Sequence, residues 1–197
     1  MMHLVTQISS SNNVRAKELA EVLSRQQVAT REVSKTNSER TWSAYEQAAH
    51  SFDAIRDVSF LTINNAHGPI TKELALHIAY ALLVSKPIML QELPAFSDEV
   101  DTFLQRIIGA RLHHFAVCNL TKRGCSPQEV RSALRHLATA QGVDYALNTH
   151  DIILIQSKIR SYLRECINQP LESVFAPVAT QGLQQASLPT ARAIALA

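Results

Sequence analysis

The chain has little of what marks several specialised classes of protein. Only five of its 197 residues are glycine and only three are cysteine. No glycine-rich fingerprint of the kind that cradles nucleotide phosphates is present. The three cysteines, Cys118, Cys125 and Cys166, have spacings that fit neither a zinc site nor a disulfide framework. Their odd number indicates free thiols in a reducing compartment.

Neither charge nor hydropathy points to a nucleic acid or a membrane as a partner. The formal net charge of +2 and the pI near 8.5 come without a basic stripe, so we expect neither nucleic-acid nor acidic partners. No apolar run approaches the roughly 20 residues that cross a bilayer. The first residues, MMHLVTQISSSNN, lack the regions of a signal peptide. We therefore expect a cytoplasmic protein.

The most informative stretch of the chain, residues 57–89, has the pattern of a strand, a loop, a helix and a second strand. The apolar run at 58–63 predicts the first strand, and asparagine, glycine and proline follow it. Apolar residues at helical spacing from 74 to 82 predict the helix, which Pro87 ends before an apolar run. This unit is the building block of α/β folds.

Similar patterns on both sides of this unit predict the remaining elements. Strands are expected at residues 3–8, 28–33 and 113–119, and helices at residues 9–26, 41–55, 98–109, 126–140 and 149–167. The strands alternate with helices, so the predicted fold is α/β and doubly wound. Its mainly parallel five-stranded sheet takes the flavodoxin-like order 2-1-3-4-5, with extra C-terminal helices.

The same reading divides the chain into three parts. Residues 1–120 form a Rossmann-like domain, and residues 121–169 form a helical extension. Residues 170–197 contain several prolines and small residues with weak periodicity, which is typical of a flexible tail.

In the predicted strand order, the loops after the first and third strands flank one crevice at the carboxyl edge of the sheet. Polar loops in this position bind ligands, because a rigid scaffold holds them. The alternative is that the serines merely cap a helix and the asparagines merely make a turn. The predicted ligand-binding residues are Ser9, Ser10, Ser11, Asn64, Asn65 and Gly68.

Glu73 and His77 lie one helical turn apart, on the same predicted face as Tyr80. A carboxylate paired with an imidazole at a pocket wall can perform general acid–base catalysis. We therefore take both as candidate catalytic residues. The competing interpretation is a surface ion pair, or a histidine whose nitrogens are satisfied in the core.

No metal site and no reactive thiol are expected. His113 and His114 are adjacent in a predicted strand, so their side chains should point to opposite faces and cannot easily share an ion. Cys118 and Cys125 have no histidine in the context of a nucleophile, and we interpret them as small apolar residues.

Residues 52–89, FDAIRDVSFLTINNAHGPITKELALHIAYALLVSKPIM, resemble the core of the nucleoside 2-deoxyribosyltransferase family. That family has a strand followed by an asparagine- and glycine-containing loop, then Glu-Ile-Gly-Tyr-Ala on a helix that ends at Gly-Lys-Pro. The resemblance covers about a third of the chain well and the first 50 residues only in layout. The matching residues are Asn65 and Gly68 in the loop, Ile78, Tyr80 and Ala81 in the helix, and Lys86 and Pro87 at its end.

The resemblance also predicts which reaction should be missing. The nucleophilic glutamate of the family corresponds to His77, and a second acid of some members corresponds to Thr71, so both carboxylates are absent. A covalent glycosyl intermediate requires an anionic oxygen nucleophile. Glu73 is one turn away, and a displacement of about 6 Å along the helix normally abolishes such catalysis.

Three interpretations of the function follow. In the first, the chain binds a nucleoside, nucleotide or related sugar at the crevice without standard transferase chemistry. In the second, it is an active N-glycosidic bond transferase or hydrolase that uses Glu73 or His77 in a rearranged site. In the third, it is a structural or interaction protein. The resemblance implies a homo-oligomer, and no cofactor is expected.

Overall fold

The structure is a computed structural model that describes residues 3–9, 21, 23–25, 28–32, 43–64, 69–90, 95–117, 126–140 and 143–167. At residues 3–9, 28–32 and 64 only the backbone is described. The fold is α/β and combines a small parallel sheet with several helices. No helix among the described residues has both the length and the apolar character that crossing a membrane requires.

The strands are β1 (His3–Ser9), β2 (Val28–Glu32), β3 (Phe60–Asn64), β4 (Ile88–Leu90) and β5 (Ala116–Val117). Where side chains are described, the sheet consists of β3, β4 and β5. Strand β4 lies between the other two and is parallel to both. It pairs with β3 at Leu61 and with β5 at Ala116. The backbone of β1 also runs parallel to β2 and to β3.

The helices are α1 (Ala44–Asp57), α2 (Lys72–Leu83), α3 (Thr102–Gly109), α4 (Pro127–Thr139) and α5 (Thr149–Ile167), with a 3-10 turn at Leu112–His114. Residues 21 and 23–25 are also helical. Local chemistry explains where several helices begin. Ser126 and Glu129 form the predicted capping box at the start of α4, where Pro127 takes the first helical position. Ser43 and Glu46 form a second box at α1.

Apolar side chains from the two faces of the sheet enter two separate clusters, because side chains alternate along a strand. Leu61 and Ile63 pack in a large cluster with α1, α2, α3 and α5. Phe60 and Met89 lie on the opposite face with α4 and the helical residue Leu23. The two C-terminal helices, α4 and α5, therefore pack on opposite faces of the sheet.

Two predicted elements were wrong in extent. The helix expected at 98–109 begins only at Thr102, because the carboxylate of Asp101 caps it by accepting from the Phe103 amide at 2.8 Å. The fifth strand was expected to start at His113, but residues 112–114 form a 3-10 turn closed by hydrogen bonds from His114 to Arg111 and from Phe115 to Leu112. Only two residues of the predicted strand are described as extended.

The turn also changes the relation between the two histidines. The rings of His113 and His114 lie 4.0 Å apart instead of on opposite faces. A metal site does not follow from this, since no group of three or more metal-binding side chains occurs in the described part of the chain. The predicted helices at 126–140 and 149–167 are confirmed. The predicted polar connection at 35–40 and tail at 170–197 lie outside the described residues.

Three ion pairs at seven-residue spacing attach α5 to the start of α2 and to the two ends of α3. Asp151 pairs with Arg111 at 3.4 Å, Lys158 with Asp101 at 2.8 Å, and Glu165 with Lys72 at 2.7 Å. The three α5 residues share one side of the helix, because seven residues make two turns.

The first ion pair is the most buried of the three, and its arginine binds backbone as well. The side chains of Arg111 and Asp151 are 12% and 9% exposed. The guanidinium of Arg111 donates to the carbonyls of Tyr145, at 2.7 Å, and of Ile107 and Ala146, both at 3.1 Å. This residue therefore fixes the segment that leads into α5.

We expect Arg111→Met to lower the free energy of unfolding by about 3 kcal/mol or more, because it leaves the Asp151 carboxylate buried without its partner. Urea denaturation measures this change. Lys72→Met is the matched control, since it breaks an exposed pair and should cost no more than about 1 kcal/mol. Equal losses in the two variants would contradict the assignment of Arg111 as the main attachment.

Candidate functional site

The carboxyl edge of the sheet brings together two of the predicted ligand-binding residues. In the parallel register of β1 and β3, Ser9 lies opposite Asn64, so both strands end at the same level. The other predicted residues, Ser10, Ser11, Asn65 and Gly68, lie outside the described residues. What the structure describes of this edge is therefore its backbone frame.

A second backbone contact joins the chain segments that lie beyond the carboxyl ends of β3 and β4. There, Ile70 and Phe96 form a parallel bridge. The Ile70 amide donates to the Ala95 carbonyl at 2.6 Å, and the Ser97 amide donates to the Ile70 carbonyl at 2.9 Å. The chain is thus fixed at Ile70 and at Phe96, beyond the carboxyl ends of β3 and β4.

Helix α2 begins immediately after this bridge. Thr71 is its N-cap, and the Thr71 hydroxyl accepts from the Leu74 amide at 3.4 Å. This residue occupies the position of the second acid in the family that the sequence resembles. Here its side chain serves the start of the helix.

His77 lies in the core between α2 and α1. Its side chain is 3% exposed, and its Nε2 atom lies 2.7 Å from the Oγ atom of Ser51. The ring of Phe52 packs edge-on against the imidazole at 5.0 Å. The residue that the resemblance aligns with the nucleophile of that family thus links two helices in the core.

The hydrogen bonds around Ser51 select one tautomer of His77. The Ser51 hydroxyl donates its single proton to the Ala48 carbonyl at 2.6 Å, so the Nε2–H group of His77 donates to Ser51. The Nδ1 atom is then an acceptor, and this buried atom has no hydrogen-bond partner. Because burial disfavours the charged ring, the pKa of His77 falls from 6.5 to about 4. The imidazole is neutral at pH 7.

Glu73 is half-buried, near the last turns of α5. Burial raises the pKa of its carboxyl from 4.5 to about 7, and the neighbouring Tyr162 hydroxyl opposes this rise by favouring the ionised form. The two groups are close but not well aligned, since the buried Tyr162 hydroxyl has no partner within hydrogen-bonding geometry. At neutral pH the carboxyl is therefore near the midpoint of its titration.

The expected pair of Glu73 with His77 does not form. The two residues lie one helical turn apart, as predicted, but they contact different helices. His77 binds α1, whereas Glu73 lies beside α5. Tyr80 packs on Phe52, with ring centroids 5.2 Å apart. We did not identify Ser51 or Tyr162 from the sequence. Ser51 belongs to the buried face of α1, whereas Tyr45 of the same helix is 41% exposed.

The arrangement limits what each group can do chemically. His77 is shielded from any ligand at the sheet edge, and a neutral imidazole cannot replace an anionic oxygen nucleophile. Glu73 holds a proton that it can lose near neutral pH, as a general acid does. The distance between Ser51 and His77 resembles that between a nucleophile and its base. Ser51 is only 2% exposed, however, so the resemblance ends at the distance.

No family model, no curated protein and no solved structure matches this chain.

The Ser51–His77 hydrogen bond can be tested by a double-mutant cycle. Ser51→Ala should lower the free energy of unfolding by about 1–3 kcal/mol, because it leaves the buried Nε2–H donor without an acceptor. The same change in a His77→Leu background should be nearly neutral, since both partners are then apolar. Urea denaturation at pH 7 gives all four values. Equal costs in the two backgrounds would show that the hydrogen bond contributes nothing.

Glu73 and His77 should have opposite effects on stability as pH changes. The folded state keeps a proton on Glu73 between pH 4.5 and about 7, so the contribution of Glu73 to stability falls as pH rises through this window. The folded state resists protonation of His77 between about pH 4 and 6.5, so the contribution of His77 falls as pH drops. The two effects cancel where the windows overlap.

Glu73→Gln should therefore reveal the effect of His77 alone. We expect its free energy of unfolding to rise with pH up to 6.5, and to exceed that of the wild type above pH 7 by at most about 3 kcal/mol. Urea denaturation over this pH range measures both. Glu99→Gln, at an exposed position, is the matched control and should follow the wild type. If Glu73→Gln also follows the wild type, burial of Glu73 has no thermodynamic effect.

Proposed function

We propose that this chain is a divergent member of the nucleoside 2-deoxyribosyltransferase-like class. It binds a nucleoside, a nucleotide or a related sugar ligand and lacks the standard transferase reaction. The ligand lies in the crevice between β1 and β3, at the carboxyl edge of a doubly wound, five-stranded sheet in the flavodoxin-like order 2-1-3-4-5. The protein acts in the cytoplasm as a homo-oligomer and uses no cofactor.

The backbone pairings support this architecture. Their neighbours follow the sequence β2, β1, β3, β4, β5, and the chain order reverses between β1 and β3. Ligands of open α/β sheets bind at such a reversal. The level ends of β1 and β3, at Ser9 and Asn64, and the Ile70–Phe96 bridge beyond β3 support a binding site at this edge.

The observation that carries the proposal is the state of His77. At the position where the family has its nucleophilic carboxylate, this chain has a neutral imidazole that is 3% exposed and hydrogen-bonded to Ser51. Covalent glycosyl transfer requires an anionic oxygen within reach of the anomeric carbon. The resemblance in layout together with the loss of this group favours binding over transfer.

One observation favours an alternative function, which is N-glycosidic bond cleavage with Glu73 as the acid. Its raised pKa of about 7 leaves it partly protonated at neutral pH, and a protonated carboxyl can donate to a leaving base. Its contacts weaken this alternative. Glu73 lies beside Tyr162 of α5, whereas the proposed ligand crevice lies at the ends of β1 and β3. A third alternative, a structural or interaction protein, requires no ligand.

The experiment combines two measurements on a panel of deoxynucleosides and their 5′-monophosphates. Thermal unfolding reports binding, and chromatography of the free base reports cleavage. A ligand that binds should raise the melting temperature by about 5 °C or more at a concentration about 100 times its dissociation constant. No free base should appear.

Asn65→Ala should abolish the thermal shift, because it removes a polar side chain from the proposed site. Ser157→Ala is the matched control, since it removes an exposed polar side chain from α5. Release of base that disappears in Glu73→Gln would favour the cleavage reaction instead. The absence of both signals over the whole panel would leave only the structural function.

A further inference from the structure

The last turns of α5 meet the first turn of α2 in a mixed polar and apolar contact. On its exposed side, Lys72 and Glu165 form an ion pair of 2.7 Å, with side chains 43% and 48% exposed. On its inner side, Tyr162 and Cys166 are 8% and 1% exposed. Glu73 follows Lys72 in the first turn of α2 and lies beside the Tyr162 hydroxyl.

The buried side of this contact offers little hydrogen bonding to an ionised Glu73. Among the described residues, the donor beside the carboxyl is the Tyr162 hydroxyl, which is buried and lacks a well-aligned hydrogen bond. The Lys72 ammonium is engaged with Glu165. An ionised carboxylate at a half-buried position with one poorly aligned donor is unfavourable, because desolvation of the charge is not offset.

We propose that Glu73 and Tyr162 form a proton-controlled latch between α2 and α5. While Glu73 is protonated, the end of α5 from Tyr162 to Ile167 stays packed on α2. When Glu73 ionises, this end of α5 loosens, and the carboxylate gains water. The latch is a regulatory device beyond the proposed ligand site and does not require a ligand.

The rest of α5 should stay in place when the latch opens. Its first turn is held by the Arg111–Asp151 pair, and its middle is held by the Lys158–Asp101 pair. Both attachments lie N-terminal to Tyr162 along α5. The change is therefore confined to the last turns of the helix.

Glu73 is the shifted group at this contact that titrates near neutral pH. Burial raises the pKa values of both Tyr162 and Cys166, so the hydroxyl and the thiol stay uncharged. His77, one turn further along α2, has a pKa of about 4 and stays neutral. Helix α1 meets His77 with Ser51 and Phe52, which carry no charge.

Hydrogen–deuterium exchange of the full-length chain, resolved by peptides and measured from about pH 5 to about pH 8, tests the latch. Exchange at 162–167 is divided by exchange at 150–158 in the same sample, which removes the intrinsic dependence on pH. If Glu73 returns to its ordinary pKa when the latch opens, this ratio should rise about tenfold per pH unit up to about pH 7 and then level off.

Three variants make the outcome specific. Glu73→Gln should give a ratio that stays low at every pH, because the side chain cannot ionise. Tyr162→Phe should move the levelling-off point to higher pH, since the hydroxyl that favours the carboxylate is gone. Glu99→Gln, the matched control at an exposed position before α3, should give the same ratio as the wild type at every pH.

A pH-dependent ratio that persists in Glu73→Gln would overturn the proposal, because another group would then control the helix. A flat ratio in the wild type would overturn it as well. So would an equal rise in exchange at 150–158 and 162–167 relative to α1, since the whole helix would then be leaving.

Discussion

The burial of α2 on two sides is the constraint on which the rest of the structure depends. Seven of its twelve residues are buried, since the sheet covers one side and α1, α3 and α5 cover the rest. Removing this much apolar surface from water is the main stabilising contribution available to such a helix. The same burial makes every polar side chain on α2 dependent on finding a partner inside the protein.

That constraint accounts for the different fates of Glu73 and His77. His77, in the middle of the helix, finds Ser51 and gives up its charge. Glu73, in the first turn, remains half-buried and keeps a carboxyl that titrates near neutral pH. His77 therefore offers no anion at the position that the resemblance aligns with the nucleophile, while the backbone at the carboxyl edge is fixed at Asn64 and Ile70. This division favours the proposed recognition of a ligand without covalent catalysis.

Burial also determines how firmly each part of α5 is attached. Its buried stripe packs on α1 and α2, and ion pairs at Asp151, Lys158 and Glu165 fix its register. These pairs become more exposed from the start of the helix towards its end, so their contributions to stability decrease in the same direction. A helix that is firmly held at one end and lightly held at the other is suited to local opening.

The sequence by itself determined the features that depend on neighbours along the chain. Ser126 and Glu129 start α4 through contacts within one turn, and the periodicity of residues 149–167 specifies α5. Tertiary structure alone decided which partners the polar groups have. Ser51 reaches His77 across 26 residues, and Tyr162 reaches Glu73 from a helix much later in the chain. Periodicity places a residue on a face of a helix, but the packing of distant elements decides what covers that face, and therefore whether its charge survives.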